Sequence, residues 1–203
     1  MVAGPLYVIV GVIEILTHPG FDPTRHDLSL MSNGDWGWVH ISLLILTGLL
    51  TIAGAVGMRR VLHGSRGGTW GPLLLSVYGL GLIGAGFFTA DPALGFPPGT
   101  PANAHAVSWH GLLHFISGGI GFLGLIAACF VFARRFAAQR QQGWMAYSVA
   151  TGVIYLAAFV GIAVGSNAVG IITTVVILAF SVAVVLGWAW VSAVAAKLLT
   201  ARA

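Results

Sequence analysis

Apolar residues in this chain neither alternate nor keep to one helical face; they run continuously. Six such stretches stand out, roughly 2–17, 37–58, 70–90, 109–133, 144–165 and 171–195. The short segments between them hold most of the charge, proline and histidine. A bilayer core about 30 Å thick takes about 20 helical residues to cross. Five stretches meet that length, and the first is short, so it is expected to tilt less or to start at the interface. Unbroken apolarity excludes the alternating strands of a membrane barrel. The pattern predicts an all-α polytopic membrane protein, with six transmembrane helices forming one domain over 1–203.

Composition agrees. Of 203 residues, 58% are apolar and 7% charged, against about 25% charged in an average soluble protein. Mean hydropathy is +0.95. So little charge cannot cover a globule with a hydrated surface, which excludes a soluble cytoplasmic enzyme and a disordered or nucleic-acid-binding protein. The lipid bilayer is the expected partner. The single Cys129 excludes an internal disulfide and a CxxC zinc or redox motif. Residues Met1–Thr17 lack a basic n-region and a small-x-small cleavage site, so no cleavable signal peptide is expected.

The net charge of +4 is explained by topology. Arg59, Arg60, Arg66, Arg134, Arg135, Arg140, Lys197 and Arg202 fall on one face of the predicted bundle, and only Arg25 falls on the other. The positive-inside rule makes that face cytoplasmic, with both termini on it and the loops 18–36, 91–108 and 166–170 extracytoplasmic. All seven Trp lie near predicted span ends, where indole rings favour the interface. The eight Pro avoid span interiors, Pro5 and Pro72 sitting in first turns. Gly161 and Gly165, and Gly118, Gly121 and Gly124, read as close-packing positions between helices. Gly79-Leu-Gly81-Leu-Ile-Gly84 matches a dinucleotide-binding pattern in letters, but it lies inside a span with no preceding strand, so it too reads as packing.

Candidate chemistry gathers at the other end. Asp22, Asp27, Asp35 and Asp91 lie on the outer side, Glu14 sits one turn below the outer end of span 1, and only His63 of seven His is inside. The need for polar outer loops explains Asp27, Asp35, His26 and His105. It explains less well Glu14, His40, His110 and His114, which fall within spans or their first turns. His110 and His114 are spaced i, i+4, as are Glu14 and His18. Ionisable groups at membrane depth are costly and usually face the bundle interior. A purely structural role, with these groups bonding one another and holding helix register, weighs equally.

A weak internal repeat adds to this. Asp22-Pro23 precedes His40 by one loop, and Asp91-Pro92 precedes His110 in the same way, each His beside a Trp (Trp38, Trp109). Asp-Pro is also a common turn opener. The span 5–6 connection offers only Ser166 and Asn167.

The same residues carry a family resemblance. The run His18-Pro-Gly-Phe-Asp-Pro-Thr-Arg-His-Asp-Leu-Ser29, then Gly37-Trp38, Phe87-Phe88-Thr89-Ala90-Asp91-Pro92 and His110-Gly-Leu-Leu-His114 resembles the polytopic bacterial and archaeal proteins grouped as domain of unknown function 998. The resemblance covers nearly the whole chain. It implies a helical membrane protein with its motifs on the outer side, and no particular activity, cofactor or substrate.

Three function classes follow. The first is a membrane-embedded enzyme acting on a lipid-like or other apolar small molecule. In it His110 and His114 are base and acid, Asp91 or Asp22 orients an imidazole, Glu14 is a proton donor, and His18 and His40 complete the pocket. A metal variant would use His40, His110 and His114 as zinc ligands. However, His110-Gly-Leu-Leu-His114 lacks the Glu of HExxH, and bis-His haem ligation is a further variant. No Gly-x-Ser-x-Gly nucleophile motif is present. The second class, a proton-coupled transporter, uses Glu14 as proton site. The inner half offers no ionisable group to continue a pathway, and no pair of broken helices marks a carrier site. The third is a non-catalytic membrane partner or assembly factor using the Pro-rich outer loops. The reading preferred here is an outward-facing pocket in which Glu14, His40, Asp91, His110 and His114 converge.

Overall fold

The computed structural model describes residues 2–102, 104, 107–165 and 170–200. His105, Ser166, Asn167 and Arg202, and with them most of the 166–170 connection, lie outside the described residues. Six helices follow one another: α1 (Ala3–Thr17), α2 (Gly37–Val61), α3 (Trp70–Phe87), α4 (Trp109–Ala138), α5 (Gln142–Gly165) and α6 (Ile171–Thr200). Between α1 and α2 the chain makes a short 3-10 turn, Leu28–Ser32. Strands are absent among the described residues apart from an isolated bridge between Ala93 and Phe96.

Five helices, α2 to α6, are long and apolar enough to cross a membrane. At 15 residues α1 is about 22 Å long, short of a full crossing, as its sequence implies. Large apolar side chains such as Ile9, Leu49, Ile120, Val153 and Val164 stand exposed around the bundle. An exposed apolar surface of that extent belongs against lipid. The protein is an integral, multi-pass membrane protein.

Each helix packs on the next, and α6 closes the ring on α1. Glycines set the tightest contacts. A Cβ at Gly79 would meet the carbonyl oxygen of Gly48 on α2 at 2.7 Å, and one at Gly81 would come within 2.5 Å of the Cα of Gly121 on α4. The GxGxxG letters of α3 are therefore a two-sided packing surface, in which missing side chains let three backbones approach. Gly165 on α5 faces Val176 of α6.

The bundle is filled solidly at the end where the arginines cluster. Trp188, Trp190, Phe132, Phe136, Leu125 and Cys129 are buried there, with Trp190 edge-on to Phe132 and its Nε1–H donated to Ser148 Oγ at 3.0 Å. Two of the seven Trp therefore depart from the expected interfacial belt. Helix α6 continues to Thr200, which leaves Trp188 and Trp190 more than two turns from its end and turned into the bundle. There Trp188 stacks on Tyr7 of α1 at 5.1 Å.

At the opposite end the loops joining α1–α2 and α3–α4 form a folded cap. Phe96 is its centre, fully buried and in contact with the rings of His18, Phe21 and His26. Asn33 donates from Nδ2 to the carbonyls of Leu30 and Ala90, tying the two loops together.

Candidate functional site

Beneath this cap a cavity of about 430 Å³ occupies the histidine end of the bundle, and every helix contributes to its wall. Tyr7 comes from α1, His40 from α2, Tyr78 and Leu82 from α3, His114 and Gly118 from α4, Phe159 from α5 and Phe180 from α6; Asp27 and Ser29 of the cap close the top. Two lining residues, Tyr7 and Tyr78, are in ring contact with Trp188 of the aromatic plug just described. The volume falls within the range of small-molecule sites, about 300–1,000 Å³.

His40 is the fourth residue of α2, and its side chain turns into the ring of helices. Its Nδ1 is hydrogen-bonded to Glu14 Oε2 of α1 at 2.9 Å, with both residues buried. Glu14 Oε1 is also shut off from solvent and has no hydrogen-bond partner among the described residues. Where the carboxylate accepts from Nδ1–H, the lone pair of the imidazole lies on Nε2, which has no hydrogen-bond partner among the described residues. Tyr7 stands edge-on to the His40 ring, 6.5 Å away between centroids.

His114 reaches the same cavity from α4. Its Nδ1 lies 3.0 Å from the carbonyl oxygen of Ala85 and 2.8 Å from that of Phe88. Carbonyls only accept, so Nδ1 carries the hydrogen and Nε2 is the acceptor in the neutral ring. Helix α3 ends at Phe87 and leaves carbonyls without intrahelical partners; His114 satisfies two such groups while holding Nε2 free of them.

The other expected residues lie elsewhere. His110 is exposed, its ring 3.6 Å from that of Trp109 and 6.1 Å from that of Phe88. In the first turn of α4 Trp109, His110 and Leu112 are exposed while Gly111 is buried, so the i, i+4 pair has one imidazole outside and, in His114, one inside. Asp91 accepts from Ser108 N at 2.7 Å and Ser108 Oγ at 2.5 Å, while Ser108 Oγ accepts from Gly111 N. It anchors the N-cap of α4 rather than an imidazole. Asp22 accepts from the backbone N–H and hydroxyl of Thr24 in a tight turn, and those bonds hold its carboxyl below the usual range. The His18 ring packs on Phe96 in the cap, while its backbone N–H donates to the Glu14 carbonyl oxygen. The two Asp-Pro/His halves of the weak repeat are thus not equivalent: the cavity partner of His40 is His114, not His110. Among the described residues, no three His, Cys, Asp or Glu side chains come together as a metal-holding group, so His40, His110 and His114 do not form one.

Two cap residues matter more than their loop positions imply. His26 is buried, accepting from Asp22 N–H at Nδ1 and facing the carbonyl of Leu94 through Nε2 at 3.1 Å. Burial pushes its pKa below the usual value. Asp27 lines the cavity, and its Oδ1 is out of solvent with no hydrogen-bond partner among the described residues. Desolvation raises this carboxyl to about 6. Nothing in the sequence separates Asp27 from Asp35; only the 3-10 turn that follows it aims it inward.

No curated protein and no solved structure matches the chain. A family model does, over residues 1–197, and it spans all six helices and the cap. The chain belongs to the family described as Protein of unknown function (DUF998).

Proposed function

We propose that the protein is a membrane-embedded enzyme that binds a lipid-like or other largely apolar small molecule in this cavity and moves a proton on it. The six helices act as one transmembrane domain with both termini cytoplasmic, so that the cap and cavity face outward. The observation that carries the reading is the Glu14–His40 pair in the wall of an aromatic cavity that His114 also lines. A carboxylate behind Nδ1 sets the tautomer and orientation of an imidazole whose other nitrogen does general-base work. His114, anchored by carbonyls, offers a second Nε2. Glu14, His40 and His114 are assigned to the chemistry; Asp91, Asp22 and His18 shape the cap, and His110 lies outside. The aromatic plug favours a dead-end pocket over a transport path.

The test is what travels with the purified protein. A Cβ at Gly118 would have only Phe122 nearby, at 3.9 Å, so Gly118→Leu fills the cavity without striking backbone. Solvent extracts analysed by mass spectrometry should contain an apolar compound in the wild type that is lost in Gly118→Leu. In His40→Asn the retained compound should change mass or isomeric form, because substrate accumulates unreacted. The same compound in wild type and His40→Asn would leave binding without catalysis.

A further inference from the structure

Resting on that reading, we infer that the ligand is an amphiphile whose head donates hydrogen bonds, a hydroxyl or an ammonium group, and that it enters sideways from the bilayer between α4 and α5. The route follows from the lining. Phe115 on α4 lines the cavity yet is 59% exposed on the outside of the bundle. Ala163 on α5 is likewise both a lining and an exposed residue. A cavity whose wall residues also face the lipid side is open on that side. Gly118 and Gly119 stand at this gap, and a Cβ on either would meet nothing closer than 3.7 Å. Toward the aqueous end the folded cap, centred on buried Phe96, covers the bundle.

The head chemistry follows from the polar atoms that remain. No Lys or Arg is among the described lining residues, so none of these supplies a permanent cation to neutralise a phosphate or carboxylate. His114 Nε2 is an acceptor because its Nδ1–H is given to two carbonyls. His40 Nε2 is one as well when Glu14 accepts from Nδ1. Asp27 Oδ1 is an acceptor that is desolvated and has no partner among the described residues. The hydroxyls of Tyr7, Tyr78 and Ser29 adapt to either role. A donor head satisfies these atoms, whereas an anionic head adds charge beside Asp27 and leaves it unpaired. An unsatisfied buried group is costly, and that cost sets the discrimination.

Native mass spectrometry of the detergent-solubilised full chain with decanol, decylamine, decanoate and decyl phosphate tests this. Decanol and decylamine should bind at least about tenfold tighter than the two anions, the loss of one charge-assisted bond being worth that much. Gly118→Leu should abolish binding of both, and Asp27→Asn should weaken decylamine more than decanol. If the anions bind as well as the donors and Gly118→Leu still blocks them, the head assignment is overturned while the cavity reading stands. If binding of every probe is indifferent to Gly118→Leu, the cavity reading itself falls.

Discussion

Glu14 on α1 and His40 on α2 share a 2.9 Å hydrogen bond with both side chains almost fully buried. They are 26 residues apart, and their contact ties the shortest helix to its neighbour at the level of the cavity. A buried ionisable pair seldom stabilises more than apolar residues of the same volume, yet breaking it by removing one partner is expensive. His40→Leu alone should therefore cost about 3–5 kcal/mol, read as thermal unfolding in one detergent. Glu14→Leu combined with His40→Leu should recover most of that loss. A double variant as unstable as the single would mean that the pair is kept for stability and not for chemistry.

Asp91 makes a contrasting case. Its carboxylate holds Ser108, which in turn caps α4 through Gly111 N–H. Asp91→Ala should fray the first turn of α4 and cost about 1 kcal/mol, the usual worth of a cap. It should leave the co-purifying compound unchanged. Loss of that compound with the fold intact would return Asp91 to the site.

Acidification should act in two opposite directions within the cap. His26 is held neutral by burial, below its ordinary 6.5; its contribution is present above pH 6.5 and is lost as pH falls through the depressed value, because the unfolded chain takes the proton first. Asp27 runs the other way. Its folded value of about 6 exceeds the ordinary 3.8, so the strain of its charge is full above pH 6 and is relieved as pH falls toward 3.8. Asp27→Asn should thus raise stability at pH 8, by up to about 3 kcal/mol, with the gain vanishing near pH 4. A pH-independent gain in melting temperature would contradict desolvation as the cause.

Orientation is open to a direct chemical probe. Cys129, the one cysteine, is buried, so single cysteines placed at exposed Thr24 and His63 report alone. A membrane-impermeant maleimide should label Thr24→Cys in intact cells and His63→Cys only after permeabilisation. Labelling of both from the same side would remove the six-span topology and the outward cavity together.

Much of the architecture was legible along the chain. The six helices fall on the six apolar stretches, since continuous apolarity over about 20 residues has few other solutions in lipid. The glycines of α3 and α4 were readable as packing positions for the same reason. Trp188 and Trp190 were misplaced because an indole near a span end looks the same whether it faces lipid or the core. Packing decided it, of Trp188 on Tyr7 of α1 and of Trp190 on Phe132 of α4 and Ser148 of α5.

The candidate site was legible only in part. Glu14, His40, His110 and His114 stood out together because ionisable groups inside a span demand partners, a demand that does not separate His110 from the other three. Which partner each would find is not written locally. His110 and His114 differ by one helical turn, yet only the second is buried and bonded to the carbonyls of Ala85 and Phe88 at the end of α3. Asp27 sits in an ordinary loop sequence, and its burial exists only because two distant loops close over Phe96. Lipid solubility and helix count are sums over residues, which a linear chain displays openly. Convergence on a cavity depends on helix rotation and relative height, and packing between segments far apart in the chain sets both.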